Sequence, residues 1–163
     1  ASQPLSADGQ EVDSMFRRDF EESFLTGVPA VSSYSGTEVS EIYFFSPISG
    51  VVTNGYDPKV GHYGVDIAAA NNEPVRCVAD GTIIFADYDF SDSGFVIAVQ
   101  HRNNLISIYK HNSTLFKKVG NFISAGDVIA VVGNTGELTT GPHLHFELWY
   151  NGNPVNPQAF VSF

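Results

Sequence analysis

Four of the five histidines in this 163-residue chain fall in three short stretches, and two of them stand one residue apart. The stretch Gly141-Pro142-His143-Leu144-His145-Phe146-Glu147 alternates polar with apolar residues. On a strand this puts His143, His145 and Glu147 on one face and Leu144 and Phe146 on the other. Two neutral imidazoles side by side are an odd choice for a core. They suit a face where a metal ion or water takes up their lone pairs. In Gly61-His62-Tyr63-Gly64-Val65-Asp66 a histidine and a carboxylate lie four residues apart, on one face of either a strand or a helix. The third stretch, Ile108-Tyr109-Lys110-His111-Asn112, ends a strand-like run at His111.

Imidazole nitrogen with carboxylate oxygen is a mixed donor set that suits zinc. His62, Asp66 and one histidine of the 143/145 pair make three protein ligands. Three ligands leave a tetrahedral zinc one open position, as catalytic rather than structural sites do. Water in such a position has its pKa lowered from about 15.7 to about 7. The other histidine of the pair, with His111, is then available for proton transfer. These residues fit a hydrolase. His101 carries no motif and reads as structural or surface.

The elements that must position these residues are strands. Candidate strands cover 50–53, 65–68, 74–79, 81–87, 94–101, 105–111, 127–133 and 143–150, with turns at 103–104, 134–136 and 151–153. Short strands, short turns and no helical pattern after residue 30 predict an all-β domain of mostly antiparallel sheet over residues 45–163. Residues 1–44 form a separate N-terminal segment. Within it, Phe16, Phe20 and Phe24 recur every four residues, predicting a short helix that starts at Asp13 or Ser14 and ends at Gly27. Its Phe stripe is expected to dock on the main domain. The alternatives are a partner surface or a stub leading to an upstream membrane anchor. Residues 28–43 read as a linker.

The composition narrows the function further. The net charge is −10 with only eight Lys and Arg residues, which excludes nucleic-acid binding through a basic patch. Cys77 is the single cysteine, so neither an intrachain disulfide nor a thiolate cluster can form. In its strand-like run it reads as a small core residue. No stretch is long and apolar enough to span a bilayer.

The three motifs, in this order, resemble the signature of the lysostaphin-type (LytM-like) zinc metallopeptidases. Intervening pieces match as well: Pro74-Val75-Arg76-Cys77-Val78-Ala79-Asp80-Gly81, the run from Ser124 to Gly136, and Asn153-Pro154-Val155-Asn156-Pro157. The resemblance covers roughly Phe45 to Phe163. It implies an antiparallel sheet with a groove, one Zn2+ ion, and endopeptidase activity on the peptides of bacterial peptidoglycan, outside the cytoplasm. It implies His62, Asp66 and His145 as zinc ligands and His111 and His143 as the catalytic pair. Tyr56 matches a tyrosine that stabilises the oxyanion in some members, and Lys59 stands where members often carry arginine. A monomer is expected. The alternative is a non-catalytic or latent relative acting as a cell-wall scaffold or activator. Latency would have Glu38 or Glu41 of the N-terminal segment fill the open metal position. A closed structural zinc site would recruit His111 or His143. A swinging-arm carrier is disfavoured because no lysine sits at a hairpin tip.

Overall fold

The computed structural model describes residues 42–136 and 141–163. The expected helix over 13–27 and most of the expected linker lie outside the described residues. Ten strands form one antiparallel sheet among the described residues. They are β1 (Val51–Asn54), β2 (Val65–Ala68), β3 (Pro74–Arg76), β4 (Gly81–Asp89), β5 (Gly94–Gln100), β6 (Leu105–Leu115), β7 (Phe122–Ile123), β8 (Val128–Val132), β9 (His143–Tyr150) and β10 (Asn153–Val155). The main path runs β1-β2-β9-β6-β5-β4-β7, with β10 on β9 and β8 joining β3 to β6.

The all-β expectation holds, and β9 has the predicted ends. β3 stops three residues early, because Cys77–Ala79 leave the ladder. The Cys77 amide there bonds to Asp127 O, and the Val78 amide to the Tyr109 hydroxyl. β6 runs four residues further than predicted. Beyond His111 it leaves β9 and pairs with β8 instead. The short β7 and β10 carry too little apolar pattern to be read from the sequence.

Alternation along β9 divides the sheet into two faces. Leu144, Phe146 and Leu148 point into the main core with Val65, Ile67, Tyr109 and Ile129. The opposite face carries His143, His145 and Glu147, and past them Trp149 in a smaller cluster with Val96, Ala98, Ile106 and Ile108. The core begins before residue 45: Ile42 is buried and Phe44 packs against the same cluster. Cys77 is buried, as expected, and burial pushes its thiol pKa up to about 11. His101 is structural. One ring nitrogen is 2.7 Å from Asp80 O and the other 2.7 Å from Ser107 Oγ, whose hydroxyl in turn donates to Tyr109.

Candidate metal centre

Strand register brings the first three residues together. β2 and β9 are antiparallel neighbours in which Asp66 lies opposite His145. Directly opposed side chains in such a pair are in contact range. Asp66 Oδ1 is 2.7 Å from His145 Nδ1, and its Oδ2 is 3.1 Å from His62 Nε2. His62 reaches in from the loop between β1 and β2. A single 3-10 turn, Pro58–Val60, opens on Asp57, whose carboxylate accepts from the Lys59 amide. Asp57 and His62 then exchange backbone hydrogen bonds. The loop is thereby pinned at both ends. His62 Nδ1 donates to Gly55 O at 2.6 Å, which leaves Nε2 as the basic nitrogen.

One donor atom from each of His62, Asp66 and His145 fits within 4.8 Å of the others. Two imidazole nitrogens and a carboxylate oxygen are donors that zinc accepts, and three of them leave a fourth tetrahedral position. The donor set therefore fits the expected metal. Burial pushes the Asp66 pKa up. The hydrogen bond from His145 and the charges of His145, His62 and His143 outweigh it and hold the carboxyl at about 2. Burial pulls His145 down, but its contacts with Asp66 and Glu147 prevail and lift it to about 9.

His111 arrives by a less regular route. Between the pairs Phe95↔Asn112 and Ile97↔Tyr109, β5 has one residue and β6 has two, Lys110 and His111. This is a β-bulge, and His111 takes φ +66° there. Regular alternation would turn His111 away from the face that carries Lys110. The bulge turns its ring toward the other histidines, 4.9 Å from His143 and 6.1 Å from His145 between centroids. The Asn134-Thr135-Gly136 turn holds it. His111 Nδ1 donates to Thr135 O at 2.9 Å, while the Thr135 hydroxyl donates to Asn112 O and accepts from the Phe95 amide. Gly94 is required at this crossing, since a Cβ there would lie 2.3 Å from Thr135 Oγ1. Burial, followed by the nearby His145, His143 and Lys110, lowers the His111 pKa to about 4 against the pull of the Thr135 carbonyl. The ring is neutral at pH 7.

The structure thus gathers His62, Asp66, His111, His143 and His145. His143 Nδ1 lies 3.2 Å from Gly141 O. Tyr56 is half-buried against the core, and its hydroxyl donates to Pro154 O at 3.3 Å. A role on an oxyanion would require that bond to be given up. Lys59 is exposed on the 3-10 turn. Thr135 and the Gly55 carbonyl escaped the sequence reading, because they act through backbone geometry that no motif encodes. A cavity of about 730 Å³ lined by Asp80, Gln100, His101 and Phe122 contains none of the five residues.

The antiparallel sheet thus bears a histidine–aspartate–histidine donor set beside two more histidines. The model of peptidase family M23 matches residues 60–157, and the chain belongs to that family. It is 43% identical over 96 residues to the DD-carboxypeptidase/endopeptidase Mpg of Neisseria meningitidis, covering 59% of this chain and 22% of the relative. It is 30% identical over 136 residues to the murein hydrolase activator NlpD of Salmonella dublin, covering 83% of this chain and 36% of the relative. The chain thus spans about a third or less of the length of these curated relatives. Among solved structures, a zinc-containing peptidase from Vibrio cholerae matches with TM-score 0.67 and 29% identity, covering 75% of this chain and 40% of that one. The catalytic domain of lysostaphin from Staphylococcus simulans matches with TM-score 0.57 and 27% identity, covering 78% and 98%.

Proposed function

We propose that this domain is a zinc-dependent endopeptidase that hydrolyses peptide bonds of bacterial peptidoglycan, outside the cytoplasm. The observation that carries the proposal is the completeness of the site: three metal donors within 4.8 Å of one another, and two further histidine rings beside them. His62, Asp66 and His145 are the residues that would hold the ion. Zinc bound there supplies Lewis acidity that brings the pKa of water near 7.

The remaining steps belong to the protein. Asp66 stays ionised at neutral pH, and its two oxygens lie 2.7 Å from His145 Nδ1 and 3.1 Å from His62 Nε2, the nitrogens that would share the ion with it. His111, neutral and with Nδ1 committed to Thr135, offers Nε2 as a proton acceptor. His143, with Nδ1 toward Gly141, offers Nε2 in the same way. Together they take a proton from the attacking water and return it to the peptide nitrogen. A carbon–oxygen bond forms, the carbon–nitrogen bond breaks, and the products are a carboxylate and an amine.

The relative NlpD favours a second reading, a hydrolase activator of the same fold. Digestion of purified peptidoglycan followed by mass analysis separates the two. The endopeptidase reading expects about one zinc per chain and new peptide ends. His145→Ala should lose zinc, and His143→Ala should keep zinc and lose turnover. Zinc-loaded wild type that cuts no wall peptide would establish the activator reading.

A further inference from the structure

Two buried charges beside the site have no part in that chemistry. Lys110 and Glu147 are 5% and 3% exposed, and Lys110 Nζ lies 3.3 Å from Glu147 Oε2. Burying an ion pair is costly, and apolar residues can often replace one without loss. Its location gives it a use. Glu147 stands two residues after His145 on the same face of β9, and Lys110 on β6 is the direct cross-strand partner of His145.

The second Glu147 oxygen, Oε1, lies 3.8 Å from His145 Nε2. That is an ionic contact, roughly half an ångström beyond hydrogen-bond length. An imidazole that gives its Nδ1 lone pair to a metal must carry its proton on Nε2, the side that Glu147 faces. The sequence keeps this space open. A Cβ on Gly64 would sit 2.8 Å from Glu147 Cγ and 3.0 Å from His145 Nε2.

We propose that Glu147, steadied by Lys110, is a positioning residue that fixes the tautomer and ring orientation of His145 for the metal. The proposal rests on the reading of His62, Asp66 and His145 as the metal site. Lys110 Nζ lies against one carboxylate oxygen, and the other lies 3.8 Å from His145 Nε2. All three residues lie on two neighbouring strands, so no loop movement loosens the arrangement.

Zinc dissociation constants, measured by competition with a chromophoric chelator, test the proposal. The visible spectrum of the cobalt-substituted protein reports ligand geometry independently of activity. Outer contacts of this kind contribute about 10- to 100-fold in metal affinity. Glu147→Gln should therefore weaken zinc by at least about tenfold and alter the cobalt spectrum, with an unchanged circular dichroism spectrum. Should Glu147→Gln fail to fold, the double variant Glu147→Met/Lys110→Met removes both charges and should show the same loss. Wild-type zinc affinity and cobalt spectrum in a folded variant of either kind would overturn the proposal. A different failure is visible in the wild type. If it binds zinc no better than His145→Ala, the metal-site reading falls and this inference with it.

Discussion

Adding a single methyl group at Gly64 tests how closely the fold and the site are joined. An alanine Cβ there would lie 2.4 Å from the backbone oxygen of Phe146, 2.8 Å from Glu147 Cγ and 3.0 Å from His145 Nε2. Carbon and oxygen in contact normally stay about 3.3 Å or more apart, so the loop and β9 must separate by nearly an ångström. The oxygen belongs to the backbone of the strand that pairs through Val65↔Phe146, so no side chain can swing away to relieve the clash. Overpacking of this kind costs about 1–3 kcal/mol, and each kcal/mol lowers the thermal midpoint of a chain this size by roughly 2–4 °C. The same displacement moves His145 relative to Asp66, so zinc affinity should fall with stability. Gly120→Ala is the control. Its φ of +92° makes alanine strained, but nothing lies within 4 Å. It should lose about 1 kcal/mol of stability and bind zinc normally. Thermal unfolding and chelator competition on both variants give the answer. Wild-type stability and zinc affinity in Gly64→Ala would refute the steric argument.

Two further outcomes follow from the same geometry. Burial, opposed by the Asp80 carbonyl and charge, lowers His101 to about 4 from 6.5. The unfolded chain binds the proton first as pH falls. Stability from a neutral His101 is therefore full above pH 6.5 and lost progressively down to pH 4, by about 3 kcal/mol. The destabilisation caused by His101→Gln in urea titrations should shrink by that amount between pH 7.5 and pH 4; a pH-independent difference would contradict it. Removing residues 1–41, and no more, should leave zinc content and turnover unchanged, because the truncated chain keeps the buried Ile42 and the bond from the Phe45 amide to Val78 O. A several-fold rise in turnover would instead assign an inhibitory role to the removed segment.

Much of the site was legible because β9 obeys strict alternation. His143, His145 and Glu147 could be assigned to one face from the sequence, and the boundaries 143–150 needed no revision. Asp66 opposite His145 was not legible, because it depends on β2 and β9 being neighbours across 79 residues of chain. For His111, counting by twos gives the wrong face, and only the bulge corrects it. Lys110 sat unremarked in the Tyr-Lys-His motif because its partner, Glu147, is brought to it by the β6–β9 pairing.

The left-handed backbone at His111 bears on how any inactive variant should be interpreted. A residue with a Cβ gives up about 1–2 kcal/mol to sit there, and asparagine and glycine tolerate it best. Alanine at this position removes the imidazole and also presses β6 back toward regular alternation, with residue 111 turned to the core side. A His111→Ala variant without activity would therefore mix lost chemistry with lost architecture. Asparagine should keep the bulge, the strand's change of partner and the turn around Thr135, so His111→Asn isolates what the ring itself contributes better than His111→Ala does. At this position two side chains can be compared only where both hold the same left-handed main chain.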